Sequence, residues 1–124
     1  MKRKILFFTL VICTFLLFTQ CDIFFYAPKL EYVITGSNVS ANIEYNDYKA
    51  GKIVRVYNIS TNYWSSGVQT IRDDDCPFLA YIKVTNTSSD QNNSIRVSIK
   101  VDGDEVKYAN VSTNTSTELT YIVE

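Results

Sequence analysis

Ser94-Ile95-Arg96-Val97-Ser98-Ile99-Lys100-Val101-Asp102-Gly103 is the stretch whose reading decides the fold class. Apolar and polar residues alternate without a break. Ile95, Val97, Ile99 and Val101 fall on one face, and Ser94, Arg96, Ser98 and Lys100 on the other. A period of two belongs to a half-buried β-strand. Asp102-Gly103 follows at once, a pair that tolerates the positive φ of a tight hairpin turn. The chain is therefore expected to return as an antiparallel strand over Asp104–Tyr108, with Val106 and Tyr108 in phase with the core.

Working outward, the same punctuation recurs. Pro77 opens Phe78–Thr85, where Phe78, Ala80, Ile82 and Val84 share a face, and Asn86 to Asn93 is a polar loop. Upstream lie Glu31–Thr35, closed by Gly36-Ser37-Asn38, then Val39–Tyr45 with Val39, Ala41, Ile43 and Tyr45 alternating inward. Lys52–Tyr57 is closed by Asn58, and Val68–Ile71 is a short strand after Ser65-Ser66-Gly67. A Ser/Thr/Asn-rich loop at 112–116 leads to Thr117–Val123, where Leu119, Tyr121 and Val123 alternate. Seven or eight short strands with turn signals every 8–12 residues predict an all-β chain folded as an antiparallel sandwich, a small closed barrel being the alternative. Trp64, the single tryptophan, is expected in the core.

The first residues read differently. Met1–Lys4 is basic, and Ile5–Phe18 is apolar apart from Thr9 and Thr14. That length matches the apolar region of a signal peptide and falls short of the ~20 residues that span a bilayer. Cys21 follows directly, so residues 1–21 read as a lipoprotein signal with Cys21 as the acylation site, 22–30 as a tether and 31–124 as the sandwich domain. Gln20 stands where such signals carry a small residue. An uncleaved anchor would bury Gln20 and Asp22, a carboxylate costing about 2.5–3.5 kcal/mol in hydrocarbon. Ordinary secretion is the third reading. All three keep the basic cluster inside and place the domain outside the cytoplasm.

Composition excludes several function classes. The 124 residues carry 12 basic and 13 acidic groups; without Lys2, Arg3 and Lys4 there are 9 against 13, a net charge of −4. Such a surface gives no electrostatic reason to bind nucleic acid. With no histidine, Ser-His-Asp and Cys-His catalysis and His-containing zinc sites are ruled out. A hydrophobic content of 46% is too high for a disordered chain. No cofactor or metal is expected.

The remaining constellations are weighed on their chemistry. Cys76 alone remains in the folded part, so it reads as a small buried hydrophobe at a strand start or, more sharply, as a reactive thiol with only Arg72 near it. Asp73-Asp74-Asp75, with Asp102, Asp104 and Glu105, offers oxygen ligands for Ca²⁺ but no EF-hand spacing, and a solvated loop is expected instead. Asn-x-Ser/Thr occurs at Asn38, Asn58, Asn86, Asn92, Asn110 and Asn114, as an Asn-rich chain yields by composition. Tyr45, Tyr108 and Tyr121 are in phase with core positions, whereas Tyr48 and Tyr63 fall near Trp64. The candidate binding face is therefore Tyr48, Tyr63 and Trp64.

The order Tyr32-Val33-Ile34-Thr35-Gly36, Val39–Tyr45, Gly51, an aromatic segment ending at Trp64, Tyr81–Asn86 and Ser94–Gly103 resembles the soluble domain of the mycobacterial small membrane (MmpS-type) proteins and related bacterial lipoproteins. It covers about residues 31–123. The paired cysteines of that family are here Cys76 alone, and its Leu-Pro before the tryptophan is Asn62-Tyr63. The resemblance implies an Ig-like sandwich in the bacterial cell envelope. With no histidine and no acid pair or nucleophile–base pair visible, a non-catalytic binding or adaptor module held to the membrane by a lipid anchor is expected, and the resemblance points toward its assisting an envelope transporter. A surface-exposed lipoprotein or adhesin is the alternative, and an enzyme the less favoured class.

Overall fold

The structure, a computed structural model, describes residues 26–124; the signal segment, Cys21 and residues 22–25 lie outside the described residues. Seven strands follow in order: β1 (Lys29–Asp47), β2 (Lys52–Ser65), β3 (Gln69–Thr70), β4 (Phe78–Asn86), β5 (Ser94–Val101), β6 (Asp104–Ser112) and β7 (Ser116–Val123). The only helical element described is a single 3₁₀ turn at Asp73–Asp75. All pairings are antiparallel, and the strand order β6-β5-β1-β4-β7, with β2 and β3 on the other edge of β1, makes a nearly closed, sandwich-like sheet. Apart from that turn the described residues are all-β, as their alternation requires.

β1 organises the fold because it serves both layers. Leu30–Thr35 pairs with β5, and Ala41–Tyr45 pairs with β4. Its inward residues change phase between the two halves: Leu30, Tyr32 and Ile34 are buried in the first, and Val39, Ala41, Ile43 and Tyr45 in the second. An uninterrupted period of two would turn one of these sets to solvent. The correction is made at Gly36-Ser37-Asn38, where the register with β2 shifts and Asn38 takes φ 57°. A Cβ on Gly36 would lie 3.2 Å from Ile95 Cγ2, so the glycine lets β1 bend onto β5. The expected turn there is a bend within one continuous strand. Its freed backbone groups are met by side chains: Asn93 Nδ2 donates to Ser37 O (2.8 Å), and Asn38 N–H donates to Asn62 Oδ1 (2.9 Å).

β2 repeats the device. Asn58, at φ 55°, does not close the strand; it sits in a bulge whose N–H donates to Asn42 Oδ1 (2.9 Å), and β2 runs on to Ser65. The bulge reverses the phase, so Val54 and Val56 face the core before it and Ile59 after it. Seven strands result, with Glu31–Thr35 and Val39–Tyr45 joined in β1.

The core joins both layers: Leu30, Tyr32, Ile34, Ile71, Ala80, Ile82, Val84, Ile95, Val97 and Ile99 are fully buried. Three expectations need correcting. Leu30 is not tether but core, because β1 begins at Lys29 and pairs with β3. Ser98 is not exposed: it lies between Val33 and Tyr108 on the outer face, and its hydroxyl donates to Glu105 Oε2 (2.6 Å). Tyr108 is not a core residue. An extra residue at Val106, between the Ile99–Lys107 and Lys100–Glu105 pairs, turns Tyr108 outward, where the Arg96 guanidinium stacks 3.6 Å from its ring centroid.

Candidate functional site

The three aromatics singled out by sequence do not form one face. Tyr63 and Trp64 are neighbours on β2 and so point to opposite sides of the sheet. Trp64 turns inward and meets Tyr45 edge-on at 5.5 Å, closing a tilted chain of rings that continues to Tyr32. That is the core placement expected of it. Tyr63 stands on the outer face, 55% exposed, with its hydroxyl donating to Glu31 Oε1 (3.5 Å).

Tyr48 lies at the far end of the β1–β2 hairpin and is fixed from several sides. Its N–H donates to Gln69 Oε1 (2.7 Å), its hydroxyl donates to Asp75 and accepts from Arg72 N–H (3.1 Å), and its ring meets Phe78 edge-on at 5.5 Å. The Asp75 carboxylate raises the Tyr48 hydroxyl above its ordinary pKa, so the group stays a neutral donor. Between this corner and β2 opens a recess of about 470 Å³, with Tyr48, Phe78 and Ile53 as its apolar walls and Asp47, Lys52 and Asp75 as its charged rim.

The recess continues onto a surface that sequence reasoning missed. Ile53 (50% exposed), Leu79 (53%) and Ile122 (57%) come from β2, β4 and β7. Leu79 is paired with Ile122, Ile53 is paired with Asn46, and Asn46 Nδ2 donates to the Leu79 carbonyl. Three aliphatics thus cap one end of the outer face. The signal was present in the sequence: Leu79 and Ile122 occupy the outward phase of strands whose other outward residues are mostly polar.

Beyond them the outer face is a ladder of charges. Arg55, Glu44, Lys83 and Glu118 follow one another across β2, β1, β4 and β7, with ion pairs Arg55–Glu44 (2.6 Å) and Lys83–Glu118 (3.3 Å). The Arg55 guanidinium, helped by the Tyr81 hydroxyl, holds the Glu44 carboxyl below its usual range. On the other layer Arg96 and then Ser98 do the same for Glu105. The acidic run is engaged as well: Arg72 grips Asp74 with two nitrogens (2.7 and 3.1 Å), Asp75 takes the Tyr48 hydroxyl, and Asp73–Asp75 are exposed. Among the described residues no three metal-ligating side chains converge. Cys76 is half-buried; burial first, then Asp73 and Asp75, raise its thiol pKa, which is the opposite of activation.

Of the six Asn-x-Ser/Thr asparagines, Asn86 is fully buried and the other five are exposed. Compared with known proteins, the chain matches no family model and no curated protein.

Proposed function

We propose that this protein is a membrane-anchored, extracytoplasmic, Ig-like binding or adaptor module without catalytic activity, which docks an envelope protein through the Tyr48 recess and its aliphatic rim. The observation that carries this reading is the paired, half-exposed Leu79 and Ile122, with half-exposed Ile53 across Asn46 on the wall of a recess rimmed by charges. Contiguous exposed apolar surface with a polar border is the anatomy of a protein interface. The pairing of Glu44, Asp74, Glu105 and Glu118 with arginine or lysine supports a non-catalytic role, since these carboxylates are taken up as ion-pair partners.

The finer reading, assistance to an envelope transporter, comes from the family resemblance; a surface-exposed adhesin is its rival. A photo-crosslinking residue at Leu79 in intact cells should join the domain to one partner, and Ile122→Asp should abolish the adduct without lowering thermal stability. Equal labelling from Leu79 and from Tyr63 would refute the chosen face. A transporter as the crosslinked protein supports the accessory role, and a host surface protein the adhesin. Anchoring is tested separately: Cys21→Ala should release the protein from membranes and abolish lipid labelling, because stable attachment needs more than one acyl chain. Retention on the membrane would point to an uncleaved anchor.

A further inference from the structure

The two halves of β1 fold back on each other, so its beginning and its end lie at the same end of the domain. The Tyr32 hydroxyl, in the first half, donates to Asn46 O in the second (3.1 Å) and accepts from Tyr81 N–H (3.1 Å). The bend at residues 36–38 forms the opposite end, where Asn93 Nδ2 meets Ser37 O and Asn62 Oδ1 meets Asn38 N–H. The chain therefore enters beside the Tyr48 recess. Pro28 O accepts from Ile71 N–H (2.9 Å), Leu30 pairs with Gln69, and Gln69 Oε1 takes the Tyr48 N–H (2.7 Å). Asp73 and Asp74 line a hollow with Ala27, while Asp75 of the same turn lines the recess. Tyr26, the first described residue, is held at this end through Asp102. Exposed aliphatic surface is concentrated here as well. Among the described residues Ile53, Val68, Leu79 and Ile122 are the aliphatics at least half exposed, and none lies at the bend.

We infer that the partner of the Tyr48 face is a protein embedded in the same membrane as the anchor, met at the level of the lipid headgroups. This inference rests on the docking face and the anchor proposed above. Five residue steps separate Cys21 from Tyr26, and a fully extended chain covers at most about 18 Å in that span. An uncleaved anchor ending close to Cys21 sets a similar limit. The face beside Tyr26 is thereby kept near the bilayer. The bend end stands further out by about 27 Å, the length of an eight-residue strand such as β5. A partner on another surface would meet the bend end first, and that end offers asparagines rather than aliphatics. Charge argues for a protein over bare lipid. Asp47, Asp73, Asp74 and Asp75 outnumber Lys49, Lys52 and Arg72, and a mildly acidic face gains nothing from anionic headgroups. The fitting occupant is a membrane protein whose headgroup-level surface presents an aliphatic patch bordered by basic side chains.

Tether length gives the test. The full-length chain carrying benzoylphenylalanine in place of Leu79 should, in intact cells, join to a protein with membrane-spanning segments of its own. Ten prolines inserted between residues 22 and 23 lift the domain by about 31 Å and should lower that adduct at least about tenfold. Ten Gly/Ser residues at the same place coil to about 17–19 Å and should keep most of it. Orientation is measured separately, with no partner present, on phosphatidylcholine vesicles doped with a headgroup nitroxide. A fluorescent amino acid in place of Lys49, exposed beside the recess, should be quenched at least about twofold more than one in place of Asn92, exposed beside the bend. Equal quenching would overturn the inference. An adduct that survives the proline insertion, or that joins a protein without a membrane span, would also overturn it and leave the docking face standing. Adducts with lipid alone, or none from position 79, would remove the docking face and the inference with it.

Discussion

Replacing Asn86 by alanine should be among the most damaging single changes in the protein, although the residue lies in a polar segment. Asn86 is 0% exposed at the end of β4. Its Nδ2 donates to Asn93 Oδ1 (3.1 Å) and to the Val111 carbonyl (3.0 Å), and its Oδ1 accepts from Ser88 N–H (3.0 Å). One amide therefore ties β4, the loop to β5 and the end of β6. Alanine removes all three bonds and leaves buried polar groups whose loss of a partner costs about 1–3 kcal/mol each. A water entering the vacated space restores part of this. The net expectation is about 3 kcal/mol, a large share of the roughly 5–15 kcal/mol that holds a domain folded. Urea unfolding monitored through Trp64 measures it as a fall in midpoint at constant slope. Asn92→Ala is the control: that side chain is exposed and should change stability by no more than about 0.5 kcal/mol. Asn86→Asp sharpens the test, since its carboxylate faces two oxygens. Its pKa in the folded state is then raised, so the variant recovers stability as pH falls and loses it as pH rises above the unfolded value near 4. Equal midpoints for Asn86→Ala and Asn92→Ala would refute the role of the amide as a pin.

Ile99→Ala should cost about 2–5 kcal/mol in the same unfolding assay, and Ile122→Ala no more than about 0.5 kcal/mol, because the first is fully buried and the second 57% exposed. Ser98→Ala should cost about 1 kcal/mol through loss of its bond to Glu105, and an effect indistinguishable from zero would mean the hydroxyl is solvated. Gly103→Ala, at φ 88° with open space around it, should cost about 1 kcal/mol from backbone strain alone, measurable as a lowered thermal midpoint. The chain enters the domain through Tyr26, whose hydroxyl donates to Asp102, as does Lys29 N–H (3.0 Å). Tyr26 and then Lys29 hold the Asp102 carboxyl below its usual range, so this clasp is intact above the unfolded carboxylate pKa and is lost as pH falls through the lower folded value. Amide protection around Lys29, taken relative to the intrinsic exchange rate at each pH, should fall in acid, and Asp102→Asn should remove that pH dependence.

What the sequence determined by itself was the all-β class and most of the core. Strict alternation in Val39–Tyr45, Phe78–Val84 and Ser94–Val101 leaves a single face to bury, and those inward residues are buried or partly buried against the core. Asp102-Gly103 placed a hairpin for an equally local reason, since both residues take positive φ. Alternation has no means of showing where phase is lost, because a bulge is a relation between two strands. The bend of β1 at Gly36–Asn38, the bulge at Asn58 and the extra residue at Val106 therefore came only with the tertiary structure. They decided that Tyr108 faces out and that Ser98 is covered. The asparagines show the same division. In sequence Asn38, Asn58, Asn86 and Asn93 mark turns and loops and Asn42 an outward strand position; in the fold Asn42, Asn62, Asn86 and Asn93 replace backbone hydrogen bonds that the bent ladder gives up. Which amide meets which carbonyl depends on strands up to 56 residues apart, and a local pattern does not carry that distance.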